Sequence, residues 1–440
     1  MKPGRLLIAA LLLAGMGGAL WWSNKSEAAK AAKPPADTSP KILSLKEDDI
    51  RQIEIKKRDG TDTIVRKDDA GKWSITSPQP LGADQASANA VASAAASISA
   101  ERVVDEHPAD VASYGLAPAA DEVTFTMKDG TTKKLLIGDS TPAGSNVYAM
   151  AAGDPKLYTM SSFNKDSFDK SWKDLRDKRL MTFDQDKISR VELHAKHQDM
   201  EFGKVNQNEW QILKPKPMRA DAFQVDDLVR KLSGAQMDTS VSDEDAKKIA
   251  ASWASAAPVA IAKVTDASGT QTLEVRKSKD DYLAKSSVVE GVQKVTKDLG
   301  EGVDKSIDDF RNKKLFDFGY TDPSRIEFKD GAKLRTFEKS GDKWMSNGAQ
   351  MDNTSIQAFL DKLRDLAATK FVDSGFTSPA LEITVVSNDG KRTEHVQIAE
   401  NGIARRDGEA SLYMLDANAV KDLRNSADDV KAPPPPANKK

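Results

Sequence analysis

Four histidines occur in the chain, and two of them stand together in His194-Ala195-Lys196-His197, with Asp199 and Glu201 just beyond. Those are residue types a metal centre draws on. The spacing works against one: on an extended strand residues i and i+3 face opposite sides, so both imidazoles reach one ion only if the chain turns sharply. His107 and His395 are isolated. Cysteine is absent, which excludes disulfides, thiolate catalysis, Cys-ligated zinc, iron–sulfur clusters and a lipoprotein cysteine. No G-x-S-x-G elbow, P-loop or G-x-G-x-x-G occurs. Gly138-Asp139-Ser140-Thr141 has the look of a phosphate loop, but it follows a hairpin, lacks a lysine and reads as a turn.

Carboxylates are abundant, and spacing alone leaves room for a glycosidase-type pair. The acids nevertheless gather in turn contexts, Glu47-Asp48-Asp49, Asp68-Asp69 and Asp428-Asp429, and read as caps and solvated turns. Lys173, Arg176, Lys178 and Arg179, matched by Arg311, Lys313 and Lys314, form a recurring basic stretch. It could meet acidic partners or anionic headgroups, although the interleaved Asp174 and Asp177 favour a self-contained ion-pair network. Tyr148, Tyr158 and Tyr413 are the aromatics available for stacking on a ligand. Lys plus Arg total 65 against 67 Asp plus Glu, a net charge of −2, and that balance argues against nucleic acid. This reading yields no catalytic, cofactor-binding or metal-ligating residue, and the expectation is a protein that is not an enzyme.

The elements that would position any such residues are unusually regular. Ile50 to Gly60 alternates apolar and polar residues and ends in a turn signal, which predicts a strand. Closely similar stretches follow at Ile188 to His197 and Ser324 to Lys333. Their cores, Ile53-Glu54-Ile55, Val191-Glu192-Leu193 and Ile326-Glu327-Phe328, lie 138 and 135 residues apart. A tryptophan follows the first apolar residue of each by 20, 19 and 18 positions: Trp73, Trp210 and Trp344. After each tryptophan comes a helical pattern. Val225, Leu228, Val229 and Leu232 repeat at i, i+3, i+4 and i+7, as do Ile356, Phe359, Leu360 and Leu363. Asp221 and Asn353 are the expected N-caps. In the first copy nine alanines lie between Ala83 and Ala100, with Val91 and Ile98 as main anchors, so that helix buries less area per turn. Hairpins then recur at Val123 to Gly138, turning at Asp129-Gly130, at Ala260 to Val275, turning at Gly269, and at Ile383 to Ala399, turning at Asp389-Gly390. Short strands ending in Leu157 to Met160 and Leu412 to Leu415 precede a closing helix. The phrases Leu175 to Asp184 and Phe310 to Gly319 match, and Leu423 to Val430 echoes them.

The expected fold is α+β: three tandem antiparallel-sheet-plus-helix repeats at 41–184, 185–318 and 319–431, each with one solvated sheet face and a helix on the other. Lys2 and Arg5 precede an uncharged run from Leu6 to Trp22 that spans roughly 25 Å as a helix. The segment 1–22 therefore reads as a transmembrane anchor, the charge keeping its start in the cytoplasm and Trp21 and Trp22 at the far interface. The alternative is a signal peptide cleaved near Gly17-Gly18-Ala19. Residues 23–40 form an Ala/Pro-rich linker, and 432–440 a tail with Pro433 to Pro436 in extended polyproline geometry. The expected address is the bacterial inner membrane, single-pass, with the bulk of the chain in the periplasm.

Several of these features resemble the bacterial domain-of-unknown-function family 4340. They are the V/I-E-L/I strand; Lys72, Trp73, Ile75 and Pro78; Tyr114-Gly115-Leu116 before Pro118; Leu136-Ile137-Gly138; and the L-R-D-K-x-L phrase. The resemblance is best over the first two repeats. It implies a membrane-anchored protein associated with gliding-motility-type ABC transporters, with a permease or related membrane proteins as partners and no catalytic residues to carry over. The leading expectation is a non-catalytic periplasmic scaffold or accessory subunit of such an assembly, its ATPase supplied by another chain. Two alternatives remain: a module binding an envelope polymer or solute in clefts between repeats, and a hydrolase with an unrecognised carboxylate pair.

Overall fold

The computed structural model describes residues 39–206, 209–319 and 323–434. The anchor expected at 1–22, nearly all of the linker expected at 23–40 and most of the tail expected at 432–440 lie outside the described residues. Among the described residues no helix is long and apolar enough to cross a membrane.

The fold is α+β and sheet-rich, with three large antiparallel sheets and one two-stranded sheet. All three large sheets follow one plan. At the centre of each, the strand with the V/I-E-L/I pattern pairs with the first strand of the later hairpin: Ile50–Lys57 with Asp121–Met127, Arg190–Ala195 with Ala257–Asp266, and Arg325–Asp330 with Pro379–Ser387. The register agrees, pairing Ile53 with Phe125, Val191 with Val264 and Ile326 with Val385. Strict alternation puts one side chain in two inside; Ile53, Ile55, Val191, Leu193, Ile326 and Phe328 are all buried. Glycines at positive φ make the expected hairpin turns, Gly130 at 82°, Gly269 at 129° and Gly390 at 82°. Each sheet with its helices is called a module below, and each module has its own apolar core.

The three tryptophans occupy equivalent places. Trp73 is 1% exposed, and Trp210 and Trp344 are 4% exposed. A helix then covers the inner sheet face: Gln85–Ala95, Ala222–Ser233 and Asn353–Arg364. The apolar positions expected on the second and third helices are the buried ones. The N-caps are Asp84, Asp221 and Asp352, each carboxylate accepting an amide three residues on. Asn353 is therefore not the cap expected from sequence; it is the first helical residue, because Asp352 holds the extended φ/ψ that a cap needs. The first helix stops at Ala95, and Ile98 is an anchor on the short strand Ile98–Ser99 rather than on the helix.

The phrase Leu175 to Asp184 divides between two cores. Leu175 is buried in the first core, whereas Leu180, Met181 and Phe183 are buried in the second. Likewise Phe310 belongs to the second core, and Leu315, Phe316 and Phe318 to the third. Lys41-Ile42-Leu43, Arg179-Leu180-Met181 and Lys314-Leu315-Phe316 are thus opening segments. Each pairs with the stretch just after its covering helix, through Lys41 with Ser99, Arg179 with Gln236 and Lys314 with Ala367. The described residues form two compact units that divide between Asp177 and Lys178.

The outer sheet faces are less bare than expected. In the second module an inserted helix, Asp243–Ser252, with Trp253 after it, covers Leu283, whose neighbours Tyr282 and Ala284 point into the main core. In the first module the Tyr114-Gly115-Leu116 segment lies on Gly138: a Cβ there would sit 2.2 Å from the Tyr114 carbonyl oxygen. The family-like Y-G-L and L-I-G motifs are two sides of one close contact.

Candidate functional site

His194 and His197 do meet a sharp turn. The strand ends at Ala195, and Lys196 and His197 carry φ of 51° and 57°. His194 Nδ1 lies 2.7 Å from an Asp199 carboxylate oxygen, at the surface. Even so, no group of three or more metal-ligating side chains occurs among the described residues. Gly138, Asp139 and Ser140 are the last residues of the strand Thr132–Ser140, so the turn expected there begins only at Thr141.

Three clefts collect the polar side chains. The first, of about 430 Å³, lies between the covering helix of module one and the helix Ser162–Phe168. The second, of about 440 Å³, lies at the hairpin end of module two and includes His194, His197, Glu274, Arg276 and Asp304. The third, of about 510 Å³, is lined by Trp210, Arg219, Asn312, Asp317 and Arg392, from modules two and three.

A carboxylate pair could do hydrolytic chemistry in such a cleft if one acid were free to hold a proton. The acids here are mostly tied. Asp174 accepts from the Ser171 amide and hydroxyl at 2.8 and 2.6 Å, closing a capping box. Glu274 is 2.8 Å from Arg276, whose guanidinium stacks 4.6 Å from the centre of Trp253. Asp304 is 2.7 Å from Lys196, and Asp317 is 2.6 Å from Arg219. Asp121 is the buried carboxyl whose proton affinity is raised, first by burial and then by Asp169 beside it, but it lines none of these three clefts.

Among the described residues, a dense polar cluster lies where no sequence pattern points. Arg219 Nε donates to Glu409 at 2.7 Å, Nη1 to Asp317 at 2.6 Å, and Nη2 to the Lys314 carbonyl at 2.6 Å and the Tyr413 hydroxyl at 3.0 Å. Arg406 donates to Glu409 at 2.8 Å, to Glu394 at 3.0 Å and to the Leu315 carbonyl. Glu394 in turn accepts the Asp317 amide at 2.9 Å. Arg311 donates to Ser411 at 2.8 Å with its guanidinium against Phe371. Burial first, and Glu409 as acceptor next, push the Tyr413 hydroxyl up to about 12, against the pull of Arg219. Two arginines facing three carboxylates in a mostly buried seam form a satisfied clamp between modules two and three.

Of the tyrosines offered for stacking, Tyr158 and Tyr413 are buried, their hydroxyls on Asp154 and Glu409. Tyr148 is half-buried with its ring 4.8 Å from Tyr114. In the basic stretch, Lys173 and Arg176 lie over Trp172 at 5.6 and 5.7 Å, and Arg311 pairs with Asp308 at 2.8 Å. The acid triplet Glu47–Asp49 is a short 3-10 helix, as its reading as a turn implied.

No curated protein and no solved structure matches the chain. A family model described as a domain of unknown function, DUF4340, matches residues 73–251 and again 210–382. Both matches begin at a module tryptophan, Trp73 and Trp210, and together they cover most of the chain. With that coverage the chain belongs to the DUF4340 family.

Proposed function

We propose that this protein is a non-catalytic scaffold: three copies of one sheet-plus-helix domain, held outside the inner membrane by an N-terminal anchor and serving as an accessory subunit of an ABC-type transport assembly. The observation that carries the reading is that packing recurs and chemistry does not. The buried tryptophan, the aspartate cap and the central strand register appear in all three modules, while the cleft acids differ between modules and are mostly held in caps and ion pairs. The membrane address rests on the apolar run at 6–22 with its basic flank, and the transporter partnership on the family resemblance. Polymer binding is the weaker reading, since two of its three tyrosines face inward. The test is extraction of the full chain from membranes in mild detergent after crosslinking, with mass spectrometry of what accompanies it. Permease-like membrane proteins should be recovered; recovery of the chain alone would contradict the proposal.

A further inference from the structure

The covering and closing helices are bridged differently in the three modules. Ten residues beyond the cap, the second helix carries Lys231, which pairs with Asp298 of the closing helix Lys297–Val303 at 2.7 Å and lies across Gly302. The third carries Lys362 at the same place, pairing with Asp422 at 3.3 Å. In the first module that position is Ala94. Its opposite number is Phe163, two residues past the Ser161 cap just as Asp298 is two past Thr296. The bridge is therefore missing. Between the same two helices lies the cleft of about 430 Å³ lined by Ala90 and Val91, with Phe163 also lining it and 79% exposed. Asp166 and Lys170 also line it, and among the described residues neither has an ion-pair partner.

We propose that this face of module one is a homodimer interface, in which Phe163 of each chain fills the cleft of a second copy. A two-fold contact requires a self-complementary patch, and this patch holds both halves: an apolar knob beside a hole large enough for it, and one unpaired acid beside one unpaired base. About the two-fold axis Asp166 of each copy meets Lys170 of the other. An exposed aromatic beside small residues is the kind of anchor that dominates interface energetics, and its exposure in the free chain is otherwise unfavourable. This inference does not depend on the transporter partnership.

The experiment is the mass of the full chain in detergent by light scattering across a concentration series. The wild type should be dimeric. Ala94→Lys with Phe163→Asp installs the bridge that module two already uses, so the fold is retained, and dimer affinity should fall roughly 10-fold or more. Asp166→Lys or Lys170→Asp alone should weaken the dimer, and the two together should restore it, because swapped charges still meet across the axis. A monomeric wild type would overturn the proposal, as would a dimer unchanged by the double bridge variant, or single charge reversals that the pair does not rescue.

Discussion

Replacing Arg219 by Met tests whether the seam between modules two and three is a clamp or a set of surface pairs. Four acceptors lose a donor: Glu409, Asp317, the Lys314 carbonyl and the Tyr413 hydroxyl. Counted one at a time at about 1.5–3 kcal/mol for a charged bond, the loss would be roughly 10 kcal/mol. That overstates it, because the partners are not orphaned. Glu409 keeps Arg406 at 2.8 Å, and Asp317 keeps Asn312 at 3.0 Å. The better measure is removal of one member of a mostly buried pair, about 3–5 kcal/mol. With the Arg219 side chain 20% exposed, solvent screening lowers this to about 2–4 kcal/mol. The assay is hydrogen exchange at the Leu315 and Ala368 amides, which bond to Leu366 and Lys313 beside the cluster. Opening made easier by that amount speeds exchange roughly 30- to 1,000-fold. Acceleration of less than about threefold at both amides would refute the clamp, since so small a change belongs to solvent-screened pairs.

Other outcomes follow from the same physics. Asp121 has its folded proton affinity raised by burial and Asp169, so its contribution to stability is present when it is protonated and is lost as pH rises past the ordinary aspartate range. Asp121→Asn should therefore raise the melting temperature relative to wild type more at pH 7 than at pH 3; the opposite order would contradict the assignment. Gly138→Ala places a methyl 2.2 Å from the Tyr114 carbonyl oxygen and should cost about 1–3 kcal/mol, read as earlier proteolysis within residues 106–120; resistance equal to wild type would count against the contact. Glu274→Gln with Asp304→Asn should leave cellular complementation intact, whereas complete loss of function without loss of folded protein would revive the hydrolase reading.

The parts of the fold written in local patterns were legible. Strand alternation, Gly-containing turns and helical stripes each depend on a few neighbouring residues, and the hairpins at Gly130, Gly269 and Gly390 lie where those patterns put them. Boundaries were harder. Asp352 and Asn353 are both capping types, and only the backbone angles choose between them. Leu175 to Asp184 reads as one phrase because it is continuous, yet its halves are buried in different cores. A signal for the division between cores was available: Ile42, Leu180 and Leu315 lie 11 positions before Ile53, Val191 and Ile326, respectively. The Arg219 cluster had no such signal. Arg219 is separated from its side-chain partners Asp317, Glu409 and Tyr413 by 98 to 194 residues, and no periodicity links an arginine to acids a module away.

One packing plan is used three times, and hydrogen exchange on Trp73→Ala, Trp210→Ala and Trp344→Ala tests that most directly. Each ring is almost fully buried, so each loss should destabilise its own sheet by about 3–5 kcal/mol, with protection lost in the strand pair at the centre of that module. Equal effects in the three modules are the predicted result. If any one of the three substitutions left its sheet fully protected, the tryptophans would not share a role, and the modules would not be three uses of one plan.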